Sequence, residues 1–327
     1  MNSPMNNSYD KQRLISFIVT YHNEPVEMLR QCLESILALS LSDAEREIVL
    51  VDDGSDMCPL NEISDLIDHL LYLRKPCEGV SVARNLGIQA SSGTYLQFVD
   101  ADDYLIRNAY EHSLDLVRYH NPDIVLFHHT DKSEADTPFV LPTPVSGAEY
   151  LHRNNLRGAA CGYTFKRMIL HNLRFTPGVR YGEDEEFTAQ LIVRCERVFA
   201  TEDKAYFYRS HKNQVTRQKD KRSIAQRLND TEAMIFRLYE KAEHMPEVER
   251  MSLRRRIDQL SMDYIYNTIR LTKDWKNLCE RTSRLHDRGL YPLPIQRYTK
   301  KYYTFARMSA SKLGLRLLFA AIIATKH

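Results

Sequence analysis

The sequence predicts an α/β protein: a mostly parallel sheet with helices on both faces, followed by a C-terminal helical extension. Three observations predict it. Short apolar, β-branched runs alternate with segments of helical spacing through the first two thirds of the chain. Three of those runs end in turns rich in acidic and polar residues. Beyond about Val215 the pattern is helical alone.

Residues 15–20 (ISFIVT) read as a strand buried on both faces. Asn23, Glu24 and Pro25 signal a helix start, and Met28, Leu29, Cys32, Leu33, Ile36 and Leu37 recur at helical spacing. Residues 47–51 (EIVLV) are a second buried strand, ending in Asp52-Asp53-Gly54-Ser55. Residues 63–71 have helical spacing, 71–73 suit a short third strand, and 80–90 suit a helix closed by Ser91-Ser92-Gly93. The strand at 95–99 ends in Asp100-Ala101-Asp102-Asp103, and a helix at 110–119 and a strand at 123–127 follow. Residues 130–144 hold three prolines and read as a loop. Strands at 163–165, 198–201 and 205–208 and a helix at 183–193 complete the pattern. The expected organisation is a loose tail over 1–13, an α/β domain over 14–215 and a basic helical region over 216–327. Crossovers between parallel strands are right-handed, so strand ends collect on one edge, where open sheets bind their ligands. Here those ends are residues 20–23, 52–55 and 100–103.

The 327 residues are 43% apolar, enough for one large domain or two. The net charge of +2 hides an asymmetry. Residues 1–215 carry 21 Lys+Arg against 31 Asp+Glu, and residues 216–327 carry 24 against 12. An acidic cleft attracts a cation, and a basic half favours a polyanion or an anionic membrane face. The six cysteines show no Cys-x-x-Cys pair, which disfavours a zinc ribbon and fits reduced thiols in a cytoplasm. The polar N-terminal residues lack the apolar core of a signal peptide, and no run has the length of a transmembrane helix.

Five groups carry chemistry. Asp100 and Asp102, two residues apart on a turn, suit a hard divalent cation such as Mg²⁺ or Mn²⁺ shared with substrate phosphates, although turns favour Asp in any case. Asp53 at a strand end can accept hydrogen bonds from a ribose or a base N–H, and Gly54 permits close approach of a ligand. Arg84, early in its helix, has the guanidinium geometry that suits phosphate oxygens. The acids Glu183 to Glu186 at a helix start complement the helix dipole, and one of them is a candidate general base. His211 is a candidate nitrogen ligand beside the two carboxylates.

Together these groups resemble the family 2 glycosyltransferases of the bacterial surface-glycan type, which have the Rossmann-like GT-A fold. The likeness runs in order through ISFIVTYHNE, LRQCLESIL, EIVLVDDGS, EGVSVARNLGI, SSGTYLQFVDADD, GEDEEF and YFYRSH, covering residues 14–215. It implies inverting transfer from a nucleoside-diphosphate sugar, with UDP-sugars favoured, to a hydroxyl of a glycan or lipid-linked glycan. Asp53 would meet the nucleobase or ribose, Thr20 would lie beside the base, and Arg84 would reach the base or diphosphate. Asp100 would touch ribose and metal, Asp102 would bind Mn²⁺ or Mg²⁺, His211 would add a metal ligand, and Asp184 would be the base. One departure is visible: where the family carries Tyr-Asn after the first strand, this chain has His22-Asn23, preceded by Tyr21.

Two other readings compete. A nucleotidyltransferase needs a Gly-rich phosphate loop that TYHNEP does not supply, and a non-catalytic scaffold or glycan-binding member of an assembly complex does not need Asp100, Asp102 and Asp184. An oxidoreductase is disfavoured because no G-x-G-x-x-G follows the first strand. Residues 288–327 hold eight Lys+Arg, no acid, interleaved tyrosines and a strongly apolar end. That composition suits an anionic membrane surface, hence a protein peripheral to the inner face of the cytoplasmic membrane. Nucleic acid is disfavoured by the acidic first half.

Overall fold

A computed structural model describes residues 13–133, 138–156, 158–210 and 220–324. The chain divides into two compact units, the first made of residues 1–144, 160–178 and 197–210, the second of 145–159, 179–196 and 211–327.

The first unit holds an eight-stranded sheet. Its strands are β1 (Ile15–Tyr21), β2 (Arg46–Asp52), β3 (Leu70–Arg74), β4 (Tyr95–Asp100), β5 (Tyr104–Leu105), β6 (Ile124–Thr130), β7 (Tyr163–Lys166) and β8 (Val198–Phe207). The spatial order is β3-β2-β1-β4-β7-β6-β8-β5. β3, β2, β1 and β4 run parallel, β7 is antiparallel to both its neighbours, and β6 and β8 are again parallel. All seven residues of β1 are buried, which is why its sequence is apolar without alternation.

Helices α1 (Val26–Leu37), α2 (Val80–Ala90) and α3 (Arg107–His120) flank the sheet. Leu29, Cys32, Leu33 and Ile36 form the buried stripe of α1. Gly87 lets α2 approach β1 closely, since a Cβ there would lie 2.2 Å from Cγ2 of Ile18. In α3 the predicted helix begins earlier, at Arg107, and Asn121 closes it in the left-handed conformation with φ 49°.

Two predicted elements differ. The helical spacing at 63–71 gives only the short 3₁₀ turns Pro59–Asn61 and Ser64–His69. Arg30 holds this segment from α1, donating to Asp65 Oδ1 and Oδ2 at 2.9 and 2.8 Å and to the Glu62 carbonyl, so local polar contacts outweigh the weak apolar stripe. The two strands predicted at 198–201 and 205–208 are one strand, β8, because irregularities in its register with β6 around His128 absorb the polar interruption.

The second unit is helical: α4 (Gly147–Arg153), α5 (Glu183–Ile192), α6 (Lys221–Ala242), α7 (Glu247–Thr272), α8 (Trp275–Asp287), α9 (Lys300–Ser309) and α10 (Lys312–Ala324). α7 is its axis, packing against α4, α5, α6, α8, α9 and α10. Glu232 of α6 is buried here, accepting from Arg281 at 3.1 Å, from Arg284 at 2.6 and 2.8 Å, and from the Tyr264 hydroxyl. Burial opposes its ionisation, but these bonds prevail and hold the carboxyl below its ordinary range.

Asp258 of α7 shows the opposite balance. Burial pushes its carboxyl up to about 6, against a 2.8 Å hydrogen bond from the Tyr298 hydroxyl and the nearby Arg254. Between about pH 4 and 6 the folded state therefore holds a proton that the unfolded chain has released, so stability falls as pH rises through that window. Asp258→Asn keeps an acceptor for Tyr298. It is expected to raise the urea midpoint at pH 7.5 by the equivalent of about 1–2 kcal/mol and to leave it unchanged near pH 4. Equal effects at both pH values would contradict the burial penalty.

Candidate active site

The acidic turns meet because β2, β1 and β4 are adjacent and parallel. Thr20 pairs with Val51 on one side and Asp100 on the other, and Tyr21 pairs with Asp52. The ladder continues one step past the strands: Asp53 N donates to Tyr21 O at 2.9 Å and Ala101 N to Thr20 O at 3.2 Å. The three predicted turns thus leave the same edge of the sheet.

The consecutive Asp52 and Asp53 have different work. Asp52 is wholly buried and accepts from Ser55 N and the Tyr72 hydroxyl, both at 2.8 Å. Burial opposes its ionisation, yet the Ser55 and Tyr72 bonds and the nearby Arg74 hold it below the ordinary carboxylate range. Asp53 instead faces the segment before α2, accepting from Gly79 N at 2.8 Å, Glu78 N at 3.0 Å and the Lys75 ammonium. The turn between them requires Gly54, with φ 72°, where a Cβ would lie 2.5 Å from Cys77 N. Asn23, with φ 62°, ties the β1 turn to this one: its N donates to Ser55 Oγ at 3.1 Å and its Oδ1 accepts from Asp56 N at 2.8 Å.

His22 is exposed, with Nδ1 2.9 Å from the Asp53 carbonyl oxygen. A ring nitrogen of His22, a carboxylate oxygen of Asp53 and the Cys77 thiol lie within 4.8 Å of one another. The Lys75 ammonium already occupies Asp53 and opposes a cation there. The flat ring, carboxylate and thiol suit instead a neutral ring with hydrogen-bonding edges.

The β4 turn is the cation-seeking part. Arg84 is buried, donates from Nη2 to Asp100 Oδ1 at 2.9 Å, and lies 5.3 and 6.0 Å from the ring centroids of Phe175 and Phe98. Asp102 is half-buried. Burial, and then the charges of Asp100 and Asp102, push the neighbouring Asp103 up to about 8. Glu24 of the β1–α1 turn is also raised, first by burial and then by Asp102 and Asp100. Asp103 is thus a buried structural acid, accepting from Arg209 N at 2.7 Å. Asp100 and Asp102, with Glu24 in electrostatic reach, bring carboxylates to one turn, the oxygen type that hard divalent cations prefer.

Three supporting residues are not among the candidate chemical groups. Arg209 donates from Nε to the Asp102 carbonyl at 2.9 Å and from Nη2 to Gln31 at 2.6 Å, bracing the metal-seeking turn from the end of β8. Asn85 exchanges two 2.9 Å hydrogen bonds with the backbone of Phe175, the residue on which Arg84 rests. Lys75 neutralises Asp53. Asn85 and Arg209 fall within the EGVSVARNLGI and YFYRSH strings, whereas Lys75 lies outside every such string.

The remaining acids belong to the second unit, in the first turn of α5. Glu185 is bound to Arg256 at 2.8 Å, and Glu186, buried, is bound to Arg237 through three contacts of 2.6–3.1 Å. These two are structural, and Glu183 and Asp184 are half-buried in the same turn. His211 lies outside the described residues.

Replacing Asn85 by Ala leaves both polar groups of the Phe175 backbone without this partner. Asn85→Ala is expected to lower stability by about 2 kcal/mol in urea denaturation. An unchanged midpoint would show that the Arg84 platform does not rest on this pair.

The pattern of glycosyl transferase family 2 matches residues 16–172, which include Thr20, Asp53, Arg84, Asp100 and Asp102. The chain is 29% identical over 220 residues to a protein of Bacillus subtilis (strain 168) described as the uncharacterized glycosyltransferase EpsJ. That match covers 62% of this chain and 63% of EpsJ, just under two thirds of the relative's length. Among solved structures, the crystal structure of S. aureus TarS 1-349 superposes with a TM-score of 0.68 at 15% identity, covering 95% of this chain and 90% of that one. TarS 1-349 is also known in complex with UDP and with UDP-GlcNAc. The mannosyltransferase PcManGT from Pyrobaculum calidifontis, in complex with GDP-Man and Mn²⁺, superposes with a TM-score of 0.57 at 14% identity, covering 98% of this chain and 90% of that one. At these identities the structural likeness establishes the fold, of GT-A type, and the sequence match identifies residues 16–172, just under half of the chain, as a glycosyl transferase family 2 domain.

Proposed function

We propose that this protein is an inverting glycosyltransferase that moves a sugar from a UDP-sugar to a hydroxyl of a glycan or lipid-linked glycan. One observation carries the reading: Asp53 and the Asp100–Asp102 pair leave β2 and β4, the two strands that flank β1, at one edge of the sheet, with the exposed His22 ring beside the first and two carboxylates at the second. A nucleoside diphosphate has the matching polarity, a neutral base at one end and phosphates that travel with a divalent cation at the other. The choice of UDP is supported by TarS, which is known with UDP and UDP-GlcNAc and superposes better than the GDP-Man complex of PcManGT.

In this mechanism Thr20, His22 and Asp53 hold the base and ribose, and Asn23 fixes the turn that carries His22. Arg84 steadies Asp100 and reaches toward the diphosphate. Mn²⁺ or Mg²⁺ held by Asp100 and Asp102 would offset the charge that develops on the leaving diphosphate. The acceptor hydroxyl attacks the anomeric carbon as the bond to the diphosphate oxygen breaks. Its proton passes to Asp184, and the configuration inverts. Asp184 is taken as the base from its place in the GEDEEF string.

Removing a general base typically costs ~10²–10⁴-fold in rate. Asp184→Asn is therefore expected to lower kcat by that order while leaving the affinity for UDP within about twofold. Near-normal turnover would assign the base elsewhere. Asp102→Asn is expected to abolish the dependence of UDP affinity on Mn²⁺ in calorimetric titration. An unchanged Mn²⁺ dependence would remove Asp102 from the ligand set. If neither the native protein nor any variant hydrolysed or transferred a nucleotide sugar, the scaffold reading would replace this one.

A further inference from the structure

The second unit carries a groove of about 690 Å³ between α8 and the start of α10. Trp275, Tyr291 and Leu313 supply its apolar lining, and Lys312 and Arg316 its cationic groups; no lining residue is acidic. The groove opens beside an apolar helix face that the unit leaves uncovered. Leu313 is 71% and Leu317 56% exposed, and Ala320, Ala321 and Ala324 continue the same stripe. Trp275 is fixed at the rim, its ring 5.3 Å from Phe319 and 5.7 Å from the Arg316 guanidinium.

Charge selects the occupant. Residues 288–324 contain seven Lys+Arg, all exposed, and no Asp or Glu. A second copy of the chain would bring the same cations against themselves, whereas a surface of anionic headgroups complements them. Depth agrees. α10 has 13 residues, roughly 20 Å of helix, against the ~30 Å of a bilayer's hydrocarbon core. No described helix is long and apolar enough to cross a membrane. A short apolar stripe bordered by Lys312 and Arg316, with an indole beside it, has the make-up of a helix lying in the interface plane.

We infer that the exposed face of α10, with the α8–α10 groove beside it, docks on an anionic phospholipid surface. Lys312 and Arg316 meet the headgroups while Leu313 and Leu317 enter the acyl boundary. The inference is independent of which donor the first unit binds, and its test reads binding without catalysis.

The test is flotation of the full chain with phosphatidylcholine vesicles, with and without phosphatidylglycerol. The native protein is expected to float with the anionic vesicles alone and to be released by high salt. The double variants Lys312→Glu/Arg316→Glu and Leu313→Ser/Leu317→Ser change exposed side chains. Each is expected to cut the bound fraction on the order of tenfold with no change in melting temperature. Arg167→Glu/Arg174→Glu, reversing exposed cations of the first unit, is expected to leave binding intact. Equal recovery on neutral vesicles, or equal loss in the first-unit control, would overturn the inference. So would a concentration-dependent dimer abolished by the leucine variant in a protein that binds no vesicle.

Discussion

Like charges held together at one strand edge are the constraint on which the site depends. Two unit charges 4 Å apart repel by about 4 kcal/mol at an effective dielectric of 20, so a turn reading Asp-Ala-Asp-Asp beside Glu24 is not self-supporting. The first unit relieves it in separate ways. Arg84 is buried against Phe98 and Phe175 and donates to Asp100. Asp103 withdraws into the interior, where it keeps its proton up to about pH 8. Arg209 holds the backbone of Asp102. What remains nearer the surface is the half-buried pair Asp100 and Asp102.

A division of labour recurs wherever acids are consecutive. Asp52 points into the fold and accepts from Ser55 and Tyr72, while Asp53 points out toward the segment before α2. Asp103 is buried and Asp102 is not. Glu185 and Glu186 bind arginines of the second unit and so fix α5. One member of each run anchors the backbone that presents the other. This is why an isolated acid at a strand end would be a poor site: nothing would hold it against solvent or against its neighbours.

The same physics explains what could be read from the chain. β1, β2 and β4 were legible because strands buried on both faces require unbroken apolar runs, and the ends of such runs mark the ligand edge. The supports were not legible, because they join distant parts of the chain through polar atoms that follow no period. Asn85 and Phe175 are 90 residues apart, and Arg209 and Asp102 are 107 apart. The helical spacing at 63–71 misled because Leu70 and Leu71 belong to β3, which leaves Ile63, Leu66 and Ile67 beside a guanidinium bound to Glu62 and Asp65. The grouping of α4 and α5 with the C-terminal helices was equally hidden, since chain order does not reveal which core receives a short helix.

The opposed charges of the two halves can be resolved residue by residue. Much of the basic excess in the C-terminal part is internal to the second unit. Arg281 and Arg284 neutralise buried Glu232, Arg237 neutralises Glu186, and Arg256 neutralises Glu185. These cations hold helices together, and their charge is not available to a partner. The cations of α9 and α10 differ in kind: they are exposed, and their own stretch of sequence carries no acid. Composition alone cannot separate the two populations, since both appear in it as Lys+Arg. Ion pairing separates them better than burial does: Arg284 is exposed and still bound to Glu232.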